Sequence, residues 1–164
     1  MAIHDVKLLV LDVDGVLTDG RLYFGPGGEQ LKAFHVRDGA GIKMLLGAGL
    51  ECAFLTGREG AIASARAAEL GVRHVVGGAG DKGAALRRLA QSLGLALSQI
   101  GYVGDDLPDL PAMRDCGWTA CPADAAAEVR GAADFVAAAA GGCGAVREIV
   151  ERLLKEQGRW PAKA

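Results

Sequence analysis

The sequence predicts one α/β domain: a Rossmann-like parallel sheet with helices on both faces, capless, with an inserted β-hairpin used for oligomerisation. Three observations predict it. Short unbroken apolar runs recur, as in Leu8-Leu9-Val10-Leu11, Ala53-Phe54-Leu55 and Ile100-Gly101-Tyr102-Val103. Strands covered on both faces read this way, and such strands belong to parallel sheets. Helix-like stretches alternate with these runs, the pattern of an α/β domain. Polar residues follow several runs directly, and ligand crevices of open parallel sheets lie at the carboxyl ends of the strands.

In chain order, strands are expected near 7–12, 51–55, 73–76, 100–103, 118–120 and 133–136, with helices over 40–48, 59–70, 81–94, 109–115, 123–130 and 144–157. The last helix has the clearest stripe, with Val146, Ile149, Val150, Leu153 and Leu154 at helical spacing. Between the first strand and first helix, 21–24 and 29–36 flank the turn-rich Gly25-Pro26-Gly27-Gly28, which predicts a hairpin. Its apolar residues Leu22, Phe24, Leu31 and Phe34 exceed what a lone hairpin can bury. A partner surface is therefore expected, the alternative being a hairpin folded back on its own domain. Residues 1–157 form the single domain, 20–36 the hairpin insertion, and 158–164 a flexible C-terminal tail without periodicity.

The 164 residues suffice for one core without staples. A net charge of −2 with interspersed signs leaves no nucleic-acid footprint. No apolar stretch approaches the roughly 20 residues of a membrane span. The start, Met1-Ala2-Ile3-His4-Asp5, lacks a signal-peptide layout. Cys52, Cys116, Cys121 and Cys143 show no C-x-x-C or zinc spacing, and Cys52 reads as a small core residue. These features predict a cytoplasmic protein.

The chemistry is carried by residues at the strand ends. Asp12 and Asp14 follow the first run; burying two carboxylates is costly unless a cation or proton compensates, and Gly15 lets the chain turn sharply after them. Thr56-Gly57-Arg58, Asp81-Lys82 and Gly104-Asp105-Asp106-Leu107-Pro108-Asp109 follow later strands. Taken singly, Thr56 reads equally as a helix cap, Lys82 as a solvated helix residue and Asp105-Asp106 as a turn. Jointly they deliver carboxylates, a hydroxyl and an ammonium to one crevice. Phosphoryl transfer needs a nucleophile and charge neutralisation and little else. Asp12 can attack and form an aspartyl-phosphate. Asp12 and Asp105 are the ligand candidates for Mg²⁺, which favours hard oxygens. Asp14 is placed to protonate the leaving oxygen and then activate water. Thr56 and the Gly57 amide can donate to phosphate while Lys82 balances charge.

Asp12-Val13-Asp14-Gly15-Val16-Leu17-Thr18, Thr56-Gly57-Arg58, Asp81-Lys82 and Gly104-Asp105-Asp106 with Asp109 resemble the four motifs of the haloacid dehalogenase-like phosphatases. The resemblance implies Asp12 as nucleophile and Asp14 as acid/base, with the Asp14 carbonyl and Asp105 completing the magnesium site, and Asp106 and Asp109 supporting it. Within that superfamily, Asp12 to Gly20, Phe34-His35-Val36-Arg37-Asp38-Gly39, Arg66 and the Gly141-Gly142 to Glu148 segment are similar to 3-deoxy-D-manno-octulosonate 8-phosphate phosphatases. The likeness implies hydrolysis of a lipopolysaccharide sugar-acid phosphate by a capless homotetramer whose hairpins assemble together, with active sites beside a neighbouring subunit. Cys143 departs from the arginine often found in that glycine-rich segment. Phosphatases of nine-carbon keto-sugar acid 9-phosphates look similar.

Room for a helix and a strand only between Thr56 and Lys82, and for a hairpin and one short helix between Asp14 and Thr56, independently supports the absence of a lid. A sugar acid carries a carboxylate that arginine suits. Arg58 and Arg66 are the candidates, with Arg37 and Lys43 behind them, each equally readable alone as solvated charge. His35 reads as a strand residue rather than a base. A receiver-like switch or a regulatory module without turnover is the alternative from another class.

Overall fold

The computed structural model describes residues 2–160. β1 (Leu8–Leu11) lies wholly buried near the middle of a six-stranded sheet. It pairs in parallel with β4 (Glu51–Leu55) on one side and β6 (Ile100–Val103) on the other, Leu11 lying opposite both Phe54 and Val103. β5 (His74–Val76) extends the sheet beyond β4, and β7 (Trp118–Cys121) then β8 (Phe135–Val136) extend it beyond β6, all in parallel. The separate antiparallel pair is β2 (Tyr23–Gly25) and β3 (Gly28–Leu31).

Alternation along β1 divides the core. Leu9 and Leu11 pack with Ile42 and Leu45 of α1 (Val36–Gly47), Ala63 and Ala67 of α2 (Ala61–Leu70), and Val146 and Ile149 of α6 (Ala145–Glu156). Leu8 and Val10 pack on the opposite face with Leu86 and Leu89 of α3 (Lys82–Leu93), Met113 of α4 (Leu110–Asp115) and Val129 of α5 (Ala127–Ala132). A strand buried on both faces can carry no solvated position, which is why its sequence is unbroken leucine and valine.

The chain winds β1, β4, β5 outward and then returns to place β6 on the other side of β1. The order therefore reverses between β1 and β6, and the crevice at their carboxyl ends is where a doubly wound sheet binds ligands. Only the hairpin stands between β1 and α1, and only α2 and β5 between β4 and α3. No lid domain is inserted among the described residues.

Several boundaries differ from expectation. α1 starts at Val36 rather than residue 40, because His35 caps it: the imidazole Nδ1 accepts the Arg37 N–H at 3.2 Å. His35 is thus a cap and not the strand residue expected, and β3 stops at Leu31 instead of running to residue 36. α5 begins at Ala127 rather than residue 123, since the preceding segment is engaged elsewhere. Ala123 N–H donates to the Ala139 carbonyl, and the Asp124 carboxylate accepts from Gly141 N–H. Single 3₁₀ turns at Ala2–Asp5, Leu97–Gln99 and Leu107–Asp109 have no apolar period to announce them.

Of the hairpin's apolar residues, Phe24 is 64% and Leu31 52% exposed, with Leu22 and Tyr23 also open. Phe34 instead folds back against the core. Residues 161–164 of the expected tail lie outside the described residues. Its described beginning is docked: Arg159 donates to the Ala48 carbonyl at 3.0 Å, and Trp160 packs on the core beneath Arg147 and Lys155. No described helix is long and apolar enough to cross a membrane.

Candidate active site

Asp12 directly follows β1 and stays in the sheet by donating its N–H to the Val103 carbonyl at 3.0 Å. Its carboxylate Oδ1 accepts the Val13 N–H at 2.8 Å, and Oδ2 lies 3.0 Å from Lys82 Nζ. The chain then turns at Gly15, whose φ of +91° is left-handed backbone that glycine adopts without strain. Thr18 Oγ1 holds this turn by accepting the N–H groups of Gly15 and Gly20 at 3.2 and 3.1 Å. A Cβ on Gly15 would overlap the Asp105 carboxylate, so residue 15 must be bare for Asp105 to approach. A Cβ on Gly141 would likewise overlap the Gly15 carbonyl, which explains the glycine-rich segment as backbone-to-backbone packing behind the first turn.

The other strand ends deliver their groups to the same place. Thr56, 3% exposed after β4, accepts the Arg58 N–H at 3.2 Å on Oγ1, leaving its own hydroxyl hydrogen to donate. Lys82 opens α3 behind the Asp81 cap, where Asp81 accepts the Ala84 N–H. Nearly buried, Lys82 reaches Asp12 and also Asp109 Oδ1 at 2.7 Å. Asp109 is fully buried and completely engaged: Oδ1 also accepts the Tyr102 hydroxyl at 2.7 Å, while Oδ2 accepts the N–H groups of Asp105 and Asp106 at 3.0 and 3.2 Å. Asp109 therefore holds Lys82 and the loop after β6 in place. Asp106 caps the short turn that follows by accepting the Leu107 N–H at 2.8 Å.

Asp12, Asp105 and Asp109 can each offer an oxygen within 4.8 Å of the others. Because Asp109 has its oxygens committed, Asp12 and Asp105 are the pair left to hold a cation. Burial, then the Asp109 charge, pushes Asp12 up to about 6 against the opposing pull of Lys82. Burial, then the Asp12 charge, pushes Asp105 up to about 8. Burial works to lower the Lys82 ammonium, but Asp12 and Asp109 outweigh it and its net shift is upward. Among the described residues no cationic side chain forms an ion pair with Asp105. The donor set thus has hard oxygens in excess of positive charge, fitting a small divalent cation.

These groups line a cleft of about 540 Å³ with Asp14, Gly20, Gly57, Arg58, Gly80 and Pro108. A second hollow of about 300 Å³, beneath the hairpin, shares Thr56 and Arg58 with it and adds Glu29, Lys32, Glu59 and Ile62. Asp14 stands at the junction. Its Oδ1 accepts Lys32 Nζ at 2.6 Å, and its Oδ2 lies 3.9 Å from Arg58 Nε. Lys32 is the residue that sequence reasoning missed; a lysine beside a hairpin strand looks like ordinary solvated charge. Arg66 is not brought to the cleft of its own chain. It packs over the Phe34 ring at 5.5 Å, pairs with Glu69 at 2.8 Å and lines a shallow hollow with Gly39 and Lys43. Arg37 is exposed on the first turn of α1.

A buried carboxylate beside a lysine, a second carboxylate two residues on, and hydroxyl and amide donors facing them can carry phosphoryl transfer through an aspartyl ester. Residues 67–149 match the family model described as haloacid dehalogenase-like hydrolase. The 3-deoxy-D-manno-octulosonate 8-phosphate phosphatase of Escherichia coli K12 is 45% identical over 156 residues, covering 95% of this chain and 83% of that protein. The cobalt-bound structure of the corresponding phosphatase from Haemophilus influenzae superposes with a TM-score of 0.94 at 42% identity, covering 97% of this chain and 93% of that one. The enzyme from Moraxella catarrhalis, in complex with magnesium, phosphate and its sugar acid, superposes with a TM-score of 0.93 at 40% identity, covering 97% and 91%.

Proposed function

This chain belongs to the haloacid dehalogenase-like hydrolase family, and from that premise we propose that it hydrolyses 3-deoxy-D-manno-octulosonate 8-phosphate to the free sugar acid and phosphate, a magnesium-dependent step of lipopolysaccharide precursor synthesis. The observation carrying this is the convergence of Asp12 and Asp105 with one lysine, Lys82, against Asp12. Mg²⁺, held by Asp12, Asp105 and the Asp14 carbonyl, supplies the positive charge that lets a carboxylate approach an anionic ester. Asp12 forms the oxygen–phosphorus bond as the ester bond breaks, and Asp14 gives its proton to the departing sugar oxygen. Water then attacks phosphorus, its proton passes to Asp14, and Asp12 is released. The Thr56 hydroxyl, the Gly57 amide and Lys82 hold the phosphoryl oxygens, with Asp106 and Asp109 supporting the loop and Lys82.

Recognition of the sugar carboxylate falls to Arg58 in the cleft and to Arg66 and Arg37 outside it. Those outer arginines serve a neighbouring copy in a homotetramer built on residues 20–36, a reading supported by the exposed Phe24 and Leu31. Cytoplasmic residence is supported by four free cysteines. Phosphate release is measured with Mg²⁺ across sugar-acid phosphates. The eight-carbon 8-phosphate should give the highest kcat/KM. A nine-carbon 9-phosphate outrunning it would move the substrate to the alternative, and one phosphate or none per chain would mean a switch rather than an enzyme. Arg66→Ala should raise KM for the sugar phosphate and spare a small generic ester; equal losses on both would reject the carboxylate contact.

A further inference from the structure

We propose that Lys32 is a positioning residue for the acid/base, pinning one oxygen of Asp14 so that the proton in transit sits on the other. The proposal rests on the reading of Asp14 given above. Lys32 Nζ donates to Asp14 Oδ1 at 2.6 Å and to Glu29 Oε1 at 2.6 Å, and the Lys32 side chain is only 5% exposed. An ammonium clamped between two carboxylates at that distance cannot swing away cheaply, so its contact is part of the resting geometry. A carboxyl bound through Oδ1 can carry its proton only on Oδ2. That oxygen lies on the side of Arg58, 3.9 Å from Nε and therefore outside hydrogen-bond reach, and Arg58 lines the cleft. Oδ2 is thus kept open toward the departing ester oxygen. Glu29 belongs to β3, so this lysine ties the hairpin to the chemistry.

The step balances without another reactant. As the Asp12 oxygen–phosphorus bond forms and the phosphorus–sugar oxygen bond breaks, the Asp14 Oδ2 proton moves to the sugar oxygen. In the second half, water oxygen bonds phosphorus, the Asp12 ester breaks and the water proton returns to Oδ2.

The test compares the natural type of ester with p-nitrophenyl phosphate, whose leaving group departs without a proton. With the full chain and Mg²⁺, Lys32→Met should lower single-turnover cleavage of the sugar phosphate about 10- to 100-fold, the scale of a misaligned catalytic group, at a KM within about twofold. The first-turnover burst of nitrophenol should stay within about twofold, while its steady state falls because water activation also needs Asp14. Lys32→Arg should recover most of the loss. Equal losses in both first turnovers, or a raised KM with kcat intact, would overturn the proposal, the latter making Lys32 a substrate ligand. If Lys32→Met does not fold, Glu29→Gln should show the same selectivity at smaller size, and an equal loss on both esters would again overturn it. Asp14→Asn run alongside separates the two readings: its expected loss with Lys32→Met normal sinks the positioning role alone, whereas full sugar-phosphate turnover by Asp14→Asn sinks both.

Discussion

The strand-end cleft and the hairpin face the same solvent, yet they are held by different means. In the cleft the buried charges Asp109 and Lys82 are each held by several partners. Asp109 takes bonds from Lys82, Tyr102 and two backbone amides, and Lys82 spans Asp12 and Asp109. The hairpin has two short strands and an open apolar face, and its ion-pair link to the chemistry runs through Lys32. A buried scaffold defines the reacting atoms, while the inserted hairpin leaves an apolar face open beside them. Substitutions in the cleft should therefore change chemistry with the fold intact, and substitutions on the hairpin's open apolar face should change assembly and recognition first.

The largest effect expected is at Asp12. Asp12→Asn should abolish turnover, since an amide is no nucleophile, while circular dichroism and subunit mass stay as in the parent. Asp14→Asn should follow with a loss of about 10²- to 10⁴-fold in kcat, the range of an acid/base group. Near-normal rates in either variant would break the assignment of chemistry to this cleft. Because Asn keeps the shape of Asp, neither loss can be laid to repacking.

A middle-sized effect is expected at the hairpin tip. Phe24 is 64% exposed, so Phe24→Ser removes little from the core of its own chain and thermal unfolding at low protein concentration should barely move. If the apolar face holds copies together, sedimentation velocity should show the tetramer giving way to smaller species, with KM for the sugar phosphate rising. A parent protein that sediments as a fully active monomer would erase the contrast between the two regions.

Legibility in sequence follows the same division. β1 and β6 were readable because both faces are buried, and the polar residue ending each run marks where the sheet meets the crevice. Asp12, Thr56 and Asp105 are legible for that reason and Lys82 from the helix start that follows β5, although only the set taken together tells them from caps and turns. What stayed hidden depends on contacts between distant segments. Asp38 is 1% exposed and accepts the N–H groups of Gly144 and Arg147, tying the start of α1 to that of α6 across more than a hundred residues. No periodicity encodes that. His35 was misread because an apolar neighbour on each side mimics strand alternation, whereas its cap on Arg37 N–H starts a helix. The Lys32 contact with Asp14 and the lean of Arg66 over the Phe34 ring stay hidden by the same shortfall, since residue type does not say which way a long side chain leans.

The smallest effect expected is on stability, and it separates the regions by charge rather than by mutation. Both Asp12, at about 6, and Asp105, at about 8, are raised from the ordinary 3.8, so without metal the folded chain binds more protons than the unfolded one. Stability from these two groups is then fully present below about 4 and is lost as pH rises through about 6 and about 8, the reverse of the usual carboxylate case. Mg²⁺ must displace those protons at low pH but meets ready carboxylates at high pH. Added at about 100 times its Kd, it should raise Tm by about 5–10 °C at pH 8 and by less than half as much, at the same concentration, near pH 5.5. Asp105→Asn should flatten that pH dependence, because the amide neither repels Asp12 nor takes up a proton. A Mg²⁺ shift of equal size at both pH values would show that the cation is held elsewhere than between Asp12 and Asp105.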